Sequence, residues 1–570
     1  MKMKAVNKWG IGVAVAGMFL SSCTKNFADL NTSPVISQDA PPELLFTQSA
    51  KSVVDRDFDW FYDCYSYQLQ WMQFGTAAPG SSATGLFSPN NTNNFYQGFY
   101  KDIARNLVEI EAMVNNKPES DRAAYANVVA IAKILKVYGA WRVSDANGSI
   151  PYSEALKARE NQNFTPVYDT QEKMFDAWDK ELKEAVAVLG KKLGSQAGLG
   201  TGDIFYSGKA DKWIAAGNVL RMKIAMRLLK RAPEKTAAIV KEVVANADAG
   251  LFKSNADEWK FISADNNFAR GGNWNMDNSP LSASQNMLNY MYDNKDPRLG
   301  LFFEKNSYTP ELVDSLKNGG VFPATATYNP RRYFGLPSNP DKRADKNLAS
   351  IFERKQYTMK FNGTNVDVTI DTVSRVQHRL FNLDAENGGA NGARYTQPIL
   401  TYAEQCFMMA ELVVRGLISG DAKTYYESGV KASIQAYDDM GREAKIRDYA
   451  ALDNAAVAAY IASPAIAFTG SQDVLLEKIN IQNFLNHFKS PWEAWGAWKR
   501  TGIPKVNGIL AFEQNTVSGV PVEVPRRWQL PQPTIANQTN WRNAIEEMKK
   551  TGEYGTNDND FTGRVWWDKK

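Results

Sequence analysis

Apolar residues recur every three or four positions along most of the chain, which is the pattern of helices with one buried face. The run VVAIAKILKVYGAW places Val128, Ile131 and Leu135 at this spacing, and WIAAGNVLRMKIAMRLL repeats it from Trp213 onward. The same pattern predicts further helices over 42–74, 94–115, 171–190, 234–249, 281–293, 397–418, 421–441, 470–487, 490–501 and 540–550. The chain is therefore predicted to be mainly α-helical.

One predicted helix is unusually aromatic. In DFDWFYDCYSYQLQWMQF, a helical projection places Trp60, Cys64, Tyr67 and Trp71 on one stripe, while the other rings point elsewhere. Rings on several sides of a helix indicate burial on several sides, so core packing is favoured over ligand contact for this segment. Trp71 is kept as an outside candidate for ligand binding.

Strand patterns are sparse. The clearest is YTMKFNGTNVDVTI, where two alternating runs flank Asn362-Gly363, a dipeptide typical of tight hairpin turns. Long irregular stretches rich in Gly, Asn and Pro separate the helices instead. Loops of this length inside a folded protein are more often functional than accidental. They cover 75–94, 191–208, 263–280, 318–347 and 383–396.

Three of these loops combine aromatic rings with amides or arginine, in FSPNNTNNFY, FARGGNWNMDNSP and YNPRRYFGLPSN. A ring can stack on the apolar face of a sugar while Asn and Arg bind its hydroxyls, so the mixture suits carbohydrate. The alternative is that Asn and Gly form turns and the rings only anchor the loops. The candidate ligand contacts are Phe87, Asn90, Asn91, Trp274, Asn275, Tyr328 and Tyr333, with Trp71 in addition.

The N-terminus has the order of an export signal. Lys2, Lys4 and Lys8 precede an apolar run from 9 to 20, and Leu-Ser-Ser then leads to Cys23. L-S-S-C resembles a bacterial lipobox, which predicts removal of residues 1–22 and acylation of Cys23. More than one acyl chain is needed for stable membrane attachment, and a multiply acylated Cys23 would provide it. The alternative is an ordinary secretory peptide followed by an unmodified cysteine.

Composition excludes several classes of function. The chain is 44% hydrophobic and 22% charged, with a formal net charge of only +4 and interspersed signs, so a nucleic-acid partner is not expected. His378 and His487 are the two histidines, too few for a zinc site or a histidine-dependent triad. Beyond Cys23, the remaining Cys64 and Cys406 are predicted to be buried free thiols rather than a disulfide.

Catalytic motifs fail one by one. GDIFYSGKA resembles a phosphate loop but has the wrong spacing and ends in G-K-A, and neither G-x-S-x-G nor H-E-x-x-H occurs. A glycosidase needs only two well-placed carboxylates, which 62 acidic residues leave open. No pair is marked by its surroundings, so the protein is predicted not to be an enzyme.

Several stretches together resemble the SusD/RagB nutrient-binding outer-membrane lipoproteins of Bacteroidota, most closely the SusD-like 2 subgroup. They run in family order over the whole chain. They include NFADLNTSP after the lipobox, GSIPYSEAL, DIFYSGKADKWIAAGNVLRMKIAMRL, DPRL at 296–299, PILTYAEQCFMMAEL, WEAWGAWKRTGIP, PRRWQLPQP and the closing RVWWDKK.

The resemblance implies a SusD-like fold in which four TPR-like helix pairs form one lobe and a loop-rich lobe with few short strands carries the ligand site. The helix pairs would fall at about 42–249 and 397–441, and the loop-rich lobe at about 250–396 and 442–570, within a mature domain of 23–570. It also implies a lipid-anchored outer-membrane protein facing the cell exterior. Such a protein captures glycans for a SusC-like TonB-dependent barrel and catalyses no reaction.

The resemblance does not supply ligand residues, because binding positions in this family belong to no shared motif. The motif residues Gly148, Pro151, Tyr152 and Trp213 are interpreted as turn and packing residues. Alternatives are a peptide-binding or other nutrient-binding member, a polysaccharide hydrolase, and an anchor facing the periplasm. No cofactor is expected. Calcium binding by Asp558 and Asp560 stays an open alternative, although NDNDFTG lacks the ligand spacing of a calcium loop.

Overall fold

Helices carry most of the chain in the computed structural model, which describes residues 40–54, 59–77, 85–89, 93–191, 193–245, 250–265, 281–345, 355–370, 372–383 and 392–570. Its longer helices are α1 (Pro42–Val54), α2 (Arg105–Asn115), α3 (Ala126–Asn147), α4 (Gln171–Gly190), α5 (Ala210–Arg227), α6 (Pro233–Ala245), α7 (Gln285–Asp293), α8 (Pro310–Asn318), α9 (Tyr402–Val414), α10 (Ala422–Glu443), α11 (Asn454–Ala462), α12 (Gln472–Asn486), α13 (Pro491–Thr501) and α14 (Gln538–Lys549). Two π-helical segments, Asp59–Gln68 and Phe99–Ala104, precede shorter helices or join longer ones. The predicted mainly-α fold class is confirmed.

Short helices and strands complete the description. One-turn helices lie at Leu69–Trp71, Asn94–Gly98, Glu119–Arg122, Ala158–Asn161, Leu299–Phe302 and Pro340–Arg343, and 3₁₀ turns at Ala123–Tyr125, Gly200–Gly202, His378–Leu380 and Ile535–Asn537. The strands are β1 (Gly75–Thr76), β2 (Trp259–Ile262), β3 (Ser282–Ala283), β4 (Lys355–Phe361), β5 (Thr364–Ile370), β6 (Thr396–Leu400), β7 (Thr516–Val517) and β8 (Val520–Pro521).

Helices adjacent in the chain pack in pairs: α1 with α2, α3 with α4, α5 with α6, and α9 with α10. Close approach within the last pair depends on Gly429, where an added Cβ would lie 2.7 Å from a ring carbon of Phe407. A side chain there would therefore force α9 and α10 apart.

The helical run Glu119–Asn147, most of which is α3, is long and apolar enough to cross a membrane by length and composition. Its position identifies it as a core helix, because most of its residues are buried against α4, α5 and the Phe99–Ala104 segment. It also carries buried charges: Arg142 Nη2 lies 2.7 Å from Asp59 Oδ2, and Asp145 pairs with Arg227. These ion pairs fix α3 inside the protein.

The sequence predicts one α-helix from 42 to 74, but the structure differs from this prediction. Helix α1 ends at Val54, and the rings from Trp60 onward lie on the π-helical segment followed by the turn Leu69–Trp71. The predicted stripe is nonetheless confirmed as core, since Trp60, Cys64 and Trp71 are at most 3% exposed. A wider turn moves the rings without changing which of them face inward.

Each described strand pairs with one antiparallel partner: β1 with β3, β2 with β6, β4 with β5 and β7 with β8. The predicted hairpin is β4–β5, and both Asn362 and Gly363 have positive φ, 47° and 82°, as a two-residue turn requires. The predicted helices at 281–293 and 397–418 begin late, because their first residues form β3 and β6. Distant strands satisfy the backbone there, which local periodicity does not reveal.

Within the described part of the chain, buried residues form two large hydrophobic cores and a small one. The first core lies among α1 to α6 and receives Trp141, Trp178 and Trp213, while the second lies among the aromatic segment, α7, α9, α10, α12 and α13. The small core, made of Leu316, Met359 and Ile370, holds α8 against the β4–β5 hairpin. The free thiols of Cys64 and Cys406 are buried, as predicted.

Charged residues in the stretches that carry the family resemblance form ion pairs in the interior. In DPRL, the fully buried Arg298 bonds Asp296 through Nε (2.9 Å) and Nη2 (2.7 Å), and also donates to Tyr460 and Gln482. In WEAWGAWKR, Arg500 binds both oxygens of Glu411 at 2.7 and 2.8 Å. These pairs hold separate segments together.

The same arrangement recurs elsewhere. Arg526 of PRRW binds Asp568 of RVWWD at 2.7 and 2.8 Å, and Lys223 lies 2.8 Å from both Glu404 and Glu493. Burying a charge without such a partner would cost several kcal/mol. The motifs that carry the resemblance are therefore tied to the architecture.

The stretch GDIFYSGKA is a structural loop. Asp203 Oδ1 accepts hydrogen bonds from the backbone N–H of Phe205 and Tyr206, and Oδ2 accepts from Gly208 N and Trp213 Nε1. Trp213 itself is fully buried, which confirms its predicted core role. One carboxylate thus organises the loop and locks it to α5.

The GSIPYSEAL stretch also packs as predicted. Gly148 ends α3 with a φ of 86°, and an added Cβ would lie 2.5 Å from Met548 Sδ. Pro151 is buried and accepts a hydrogen bond from Tyr100, and the Tyr152 hydroxyl donates to Glu181 at 2.8 Å. These residues form a turn and its packing.

Candidate functional site

Described residues that flank three of the loops predicted to carry ligand contacts meet at one place, which we call the loop base (Gly75–Thr76, Leu281–Ser284 and Gly335–Asn339). Strands β1 and β3 pair there, with Gly75 opposite Ala283, and Ser284 bridges to Leu336. The end of β1, the start of β3 and the stretch that follows Tyr333 therefore lie side by side.

Backbone contact makes the loop base tight. A Cβ added to Gly335 would lie 2.6 Å from Gln285 Cα and 3.0 Å from Ala283 O, so only glycine fits. The Thr76 hydroxyl accepts a 2.7 Å hydrogen bond from Arg343, whose side chain is 2% exposed. Rigid attachment of this kind positions loops precisely.

Glu513 fastens a further segment to the loop base. Its Oε2 accepts from the backbone N–H of Ser338 (2.6 Å) and Asn339 (2.9 Å), while Oε1 accepts from Lys342 at 2.8 Å. Gln73 bonds both the N–H and the carbonyl of Glu513, at 2.9 and 2.8 Å. The chain just after α13 is thereby held beside the three loop roots.

An aromatic and cationic group lies on this surface, which we call the tyrosine–arginine cluster (Asn289, Tyr292, Arg331 and Tyr333). The Arg331 guanidinium carbon lies 4.4 Å from the Tyr292 ring centroid, and the two tyrosine centroids are 6.5 Å apart. Arg331 also donates to Asn289 Oδ1 at 2.5 Å and to the Tyr333 carbonyl at 2.8 Å. Tyr292 is 37% exposed, so part of its ring faces solvent.

The cluster has the chemistry of a sugar-binding surface. Ring faces can stack on the apolar face of a pyranose, and guanidinium and amide groups can bind its hydroxyls. Burial, with the charge of Asp448 adding to it, raises the pKa of Tyr333 to about 12. Its hydroxyl therefore stays protonated at neutral pH and can donate a hydrogen bond.

The predicted ligand residues fall into four groups. Tyr333 belongs to the cluster, whereas Phe87 and Tyr328 are half-buried and no ring contact joins them to it within the described ranges. Trp71 is 1% exposed, packs 4.8 Å from Trp528 and donates from Nε1 to Leu86 O. Trp71 is therefore not a ligand contact in this structure, because its buried ring is out of reach of a ligand. Asn90, Asn91, Trp274, Asn275 and the anchor Cys23 lie outside the described residues.

Sequence reasoning missed Asn289, Tyr292 and Arg331. Arg331 lies in YNPRRYFGLPSN, a loop whose mixture of rings and arginine suits carbohydrate, although the candidate contacts in that loop are its tyrosines. Asn289 and Tyr292 sit three apart on α7 and share a face of that helix, a spacing that could have signalled a common partner.

Among the described residues, no group of three or more His, Cys, Asp or Glu side chains could hold a metal ion. Asp558 and Asp560 lie in a loop that is held internally: the Asp558 carbonyl accepts from Arg527, and Asp560 accepts from Thr562.

Comparison with known proteins places this architecture. Residues 34–320 and 339–531 match the SusD-like 2 family model, described as starch-binding and associating with the outer membrane. Comparison with curated proteins gives no match.

Solved structures share the fold over 93% of this chain. A chitin-binding protein is 24% identical and matches over 100% of its own length with a TM-score of 0.67. A SusD homolog from Bacteroides fragilis, also 24% identical, matches over 100% of its length with a TM-score of 0.66. A chitin-binding SusD homolog from Flavobacterium johnsoniae is 22% identical over 98% of its length, with a TM-score of 0.64.

Proposed function

The chain belongs to the SusD-like family, and we propose that it is a lipoprotein on the outer face of the outer membrane that captures glycans and passes them to a SusC-like TonB-dependent barrel. The tyrosine–arginine cluster on the loop base carries this proposal. It combines a partly exposed ring, a guanidinium and an amide on a rigid support, at the place where three aromatic-rich loops are rooted.

Three buried acids in or beside the shared motifs have structural partners, and family membership supports capture without bond cleavage. The carboxylates of Asp296, Glu411 and Asp568 each accept two hydrogen bonds from an arginine, so their oxygens already have fixed partners. A glycosidase needs one carboxyl that stays protonated beside the scissile bond. These acids support structural rather than catalytic roles.

In the proposed function, the N-terminal anchor, the helix pairs and the loop-rich lobe have separate roles. Acyl chains on Cys23 would tether the mature domain of 23–570, and the helix pairs at about 42–249 and 397–441 would form a scaffold. The loop-rich lobe, about 250–396 and 442–570, would present the ligand. Family membership and the chitin-binding relatives support a carbohydrate cargo, and affinity in the micromolar range would allow its release into the barrel.

The cluster can be tested by removing its exposed ring and its cation together. In the mature chain solubilised in mild detergent, Tyr292→Ala with Arg331→Ala should weaken glycan binding about 10- to 100-fold in calorimetric titrations, since contacts of this type each contribute on the order of 1 kcal/mol or more.

The matched control is a different tyrosine–cation pair, Tyr125 and Lys117, whose ammonium lies 4.7 Å from the ring centroid beside the start of α3. Tyr125→Ala with Lys117→Ala should leave glycan affinity unchanged. Equal affinity for the wild type and the cluster variant, with both proteins folded, would show that the cluster does not bind the glycan.

A further inference from the structure

A second concave surface lies beside the loop base, on the side of α13. This cavity, which we call the Trp498 groove, has a volume of about 310 Å³, and its lining includes Gln73, Trp498, Val506, Phe512, Gln514 and Asn515. It is joined to the tyrosine–arginine cluster through α7, because Asn286 donates to Gln73 Oε1 at 2.7 Å and to the Ala511 carbonyl at 3.0 Å. The groove and the cluster therefore share one rigid support.

The lining of the groove pairs an aromatic wall with amides. Trp498 is half-buried, and the Arg526 guanidinium lies 4.8 Å from its ring centroid. Asn515 is only 7% exposed, yet its side-chain amide forms no hydrogen bond with another described residue. Because this amide has no described protein partner and Asn515 lines the groove, a ligand in the groove can supply its hydrogen bonds. Gln514 is exposed beside it and adds further donors and acceptors.

The charges around the groove are already compensated. Arg526 binds both oxygens of Asp568, and Lys505 Nζ lies 2.8 Å from Glu477 Oε2. Neither cation is left to hold an anionic ligand, and the exposed Glu523 carboxylate at the rim would repel one. The electrostatics therefore favour a neutral ligand with many hydroxyl groups.

We propose that the Trp498 groove binds one or two neutral hexopyranose units of a glycan, as a site distinct from the tyrosine–arginine cluster. The ring of Trp498 takes the apolar face of the sugar, while Asn515 and Gln514 bind its hydroxyls. The volume lies at the small end of ligand pockets, which suits a short stretch of glycan rather than a long one. This inference rests on the proposed glycan-binding function and specifies the sugar class and its location.

The sharpest test fills the groove from its rim. Val506 lines the groove and is 45% exposed, so Val506→Trp adds a large ring there without entering the core. Val520 is 62% exposed on β8 and does not line the groove, so Val520→Trp is the matched control. The mature chain solubilised in mild detergent is titrated by calorimetry with neutral oligosaccharides and with uronic-acid oligosaccharides of equal length.

Val506→Trp should weaken binding of the neutral oligosaccharide about tenfold or more, and Val520→Trp should leave it unchanged. Asn515→Ala, which keeps the groove open, should weaken the same binding. Wild-type binding that Val506→Trp does not alter overturns this inference alone, and tighter binding of the uronic-acid series overturns the neutral class. If the wild type binds neither series, the proposed function fails together with the inference.

Discussion

The ion pair between Glu411 on α9 and Arg500 on α13 gives a quantitative prediction. Glu411 is 1% exposed, receives two hydrogen bonds from Arg500 and a third from Arg415 at 2.9 Å. Burial alone would raise the pKa of Glu411, but the charges and hydrogen bonds of the two arginines outweigh it and hold this pKa at about 2, below its usual 4.5. Glu411→Gln removes the charge and nearly keeps the shape.

The expected loss follows from that pKa. At 1.36 kcal/mol per pKa unit, lowering it from 4.5 to about 2 stabilises the fold by about 3 kcal/mol at neutral pH. The cost of breaking a buried ion pair, about 3–5 kcal/mol, agrees. With an unfolding entropy of about 2.1 cal/mol/K per residue, this corresponds to a fall in Tm of about 3 °C at pH 7.

The pH dependence has a definite sign. Because the pKa of Glu411 is lower in the folded state, its stabilisation is complete above about pH 4.5 and is lost as the pH falls toward 2. Differential scanning calorimetry should therefore show the Tm gap between wild type and Glu411→Gln narrowing from pH 7 to pH 3. The control is Glu427→Gln, which removes a surface ion pair whose Lys423 Nζ and Glu427 Oε1 are 3.8 Å apart, and it should change the Tm by less than about 1 °C. A gap that is absent at pH 7, or constant with pH, would refute the reasoning.

Two further predictions concern the buried motif and the anchor. Arg298→Ala should lower the Tm by about 3–4 °C in calorimetry, because Asp296 is left buried without its partner. The control, Arg442→Ala at the surface, should change the Tm by less than about 1 °C. Equal changes in Tm for the two variants would contradict the structural role of the DPRL ion pair. Cys23→Ser should move the protein from the outer-membrane fraction to the soluble fraction on cell fractionation, because no acyl chain can be attached; unchanged membrane association would exclude the lipid anchor.

Helices whose pattern repeats over many residues could be predicted from sequence. The periodicity of α3 and α5 gave their positions because each is buried along most of its length. Sequence-based prediction was wrong where distant segments pair. The first residues of two predicted helices form β3, which pairs with β1, and β6, which pairs with β2. A strand of two to four residues leaves no periodic pattern, and its partner lies more than a hundred residues away.

The candidate site was only partly predictable for a similar reason. Aromatic and amide composition identified the loops, and Tyr333 lies in the cluster. Composition could not show that Trp71 is enclosed by other tryptophans, nor that Arg331 turns back across Tyr292 on α7. Both facts depend on contacts between segments that the sequence separates.

The most direct test of the account is calorimetric titration of the mature chain against a panel of plant, host and microbial glycans, chitin oligosaccharides included, with peptide pools in parallel and the glycans analysed afterwards for cleavage. Glycan capture predicts saturable binding to one glycan class, recovered intact. Binding confined to the peptide pools, or cleavage of the bound glycan that is abolished by a carboxylate substitution, would contradict it.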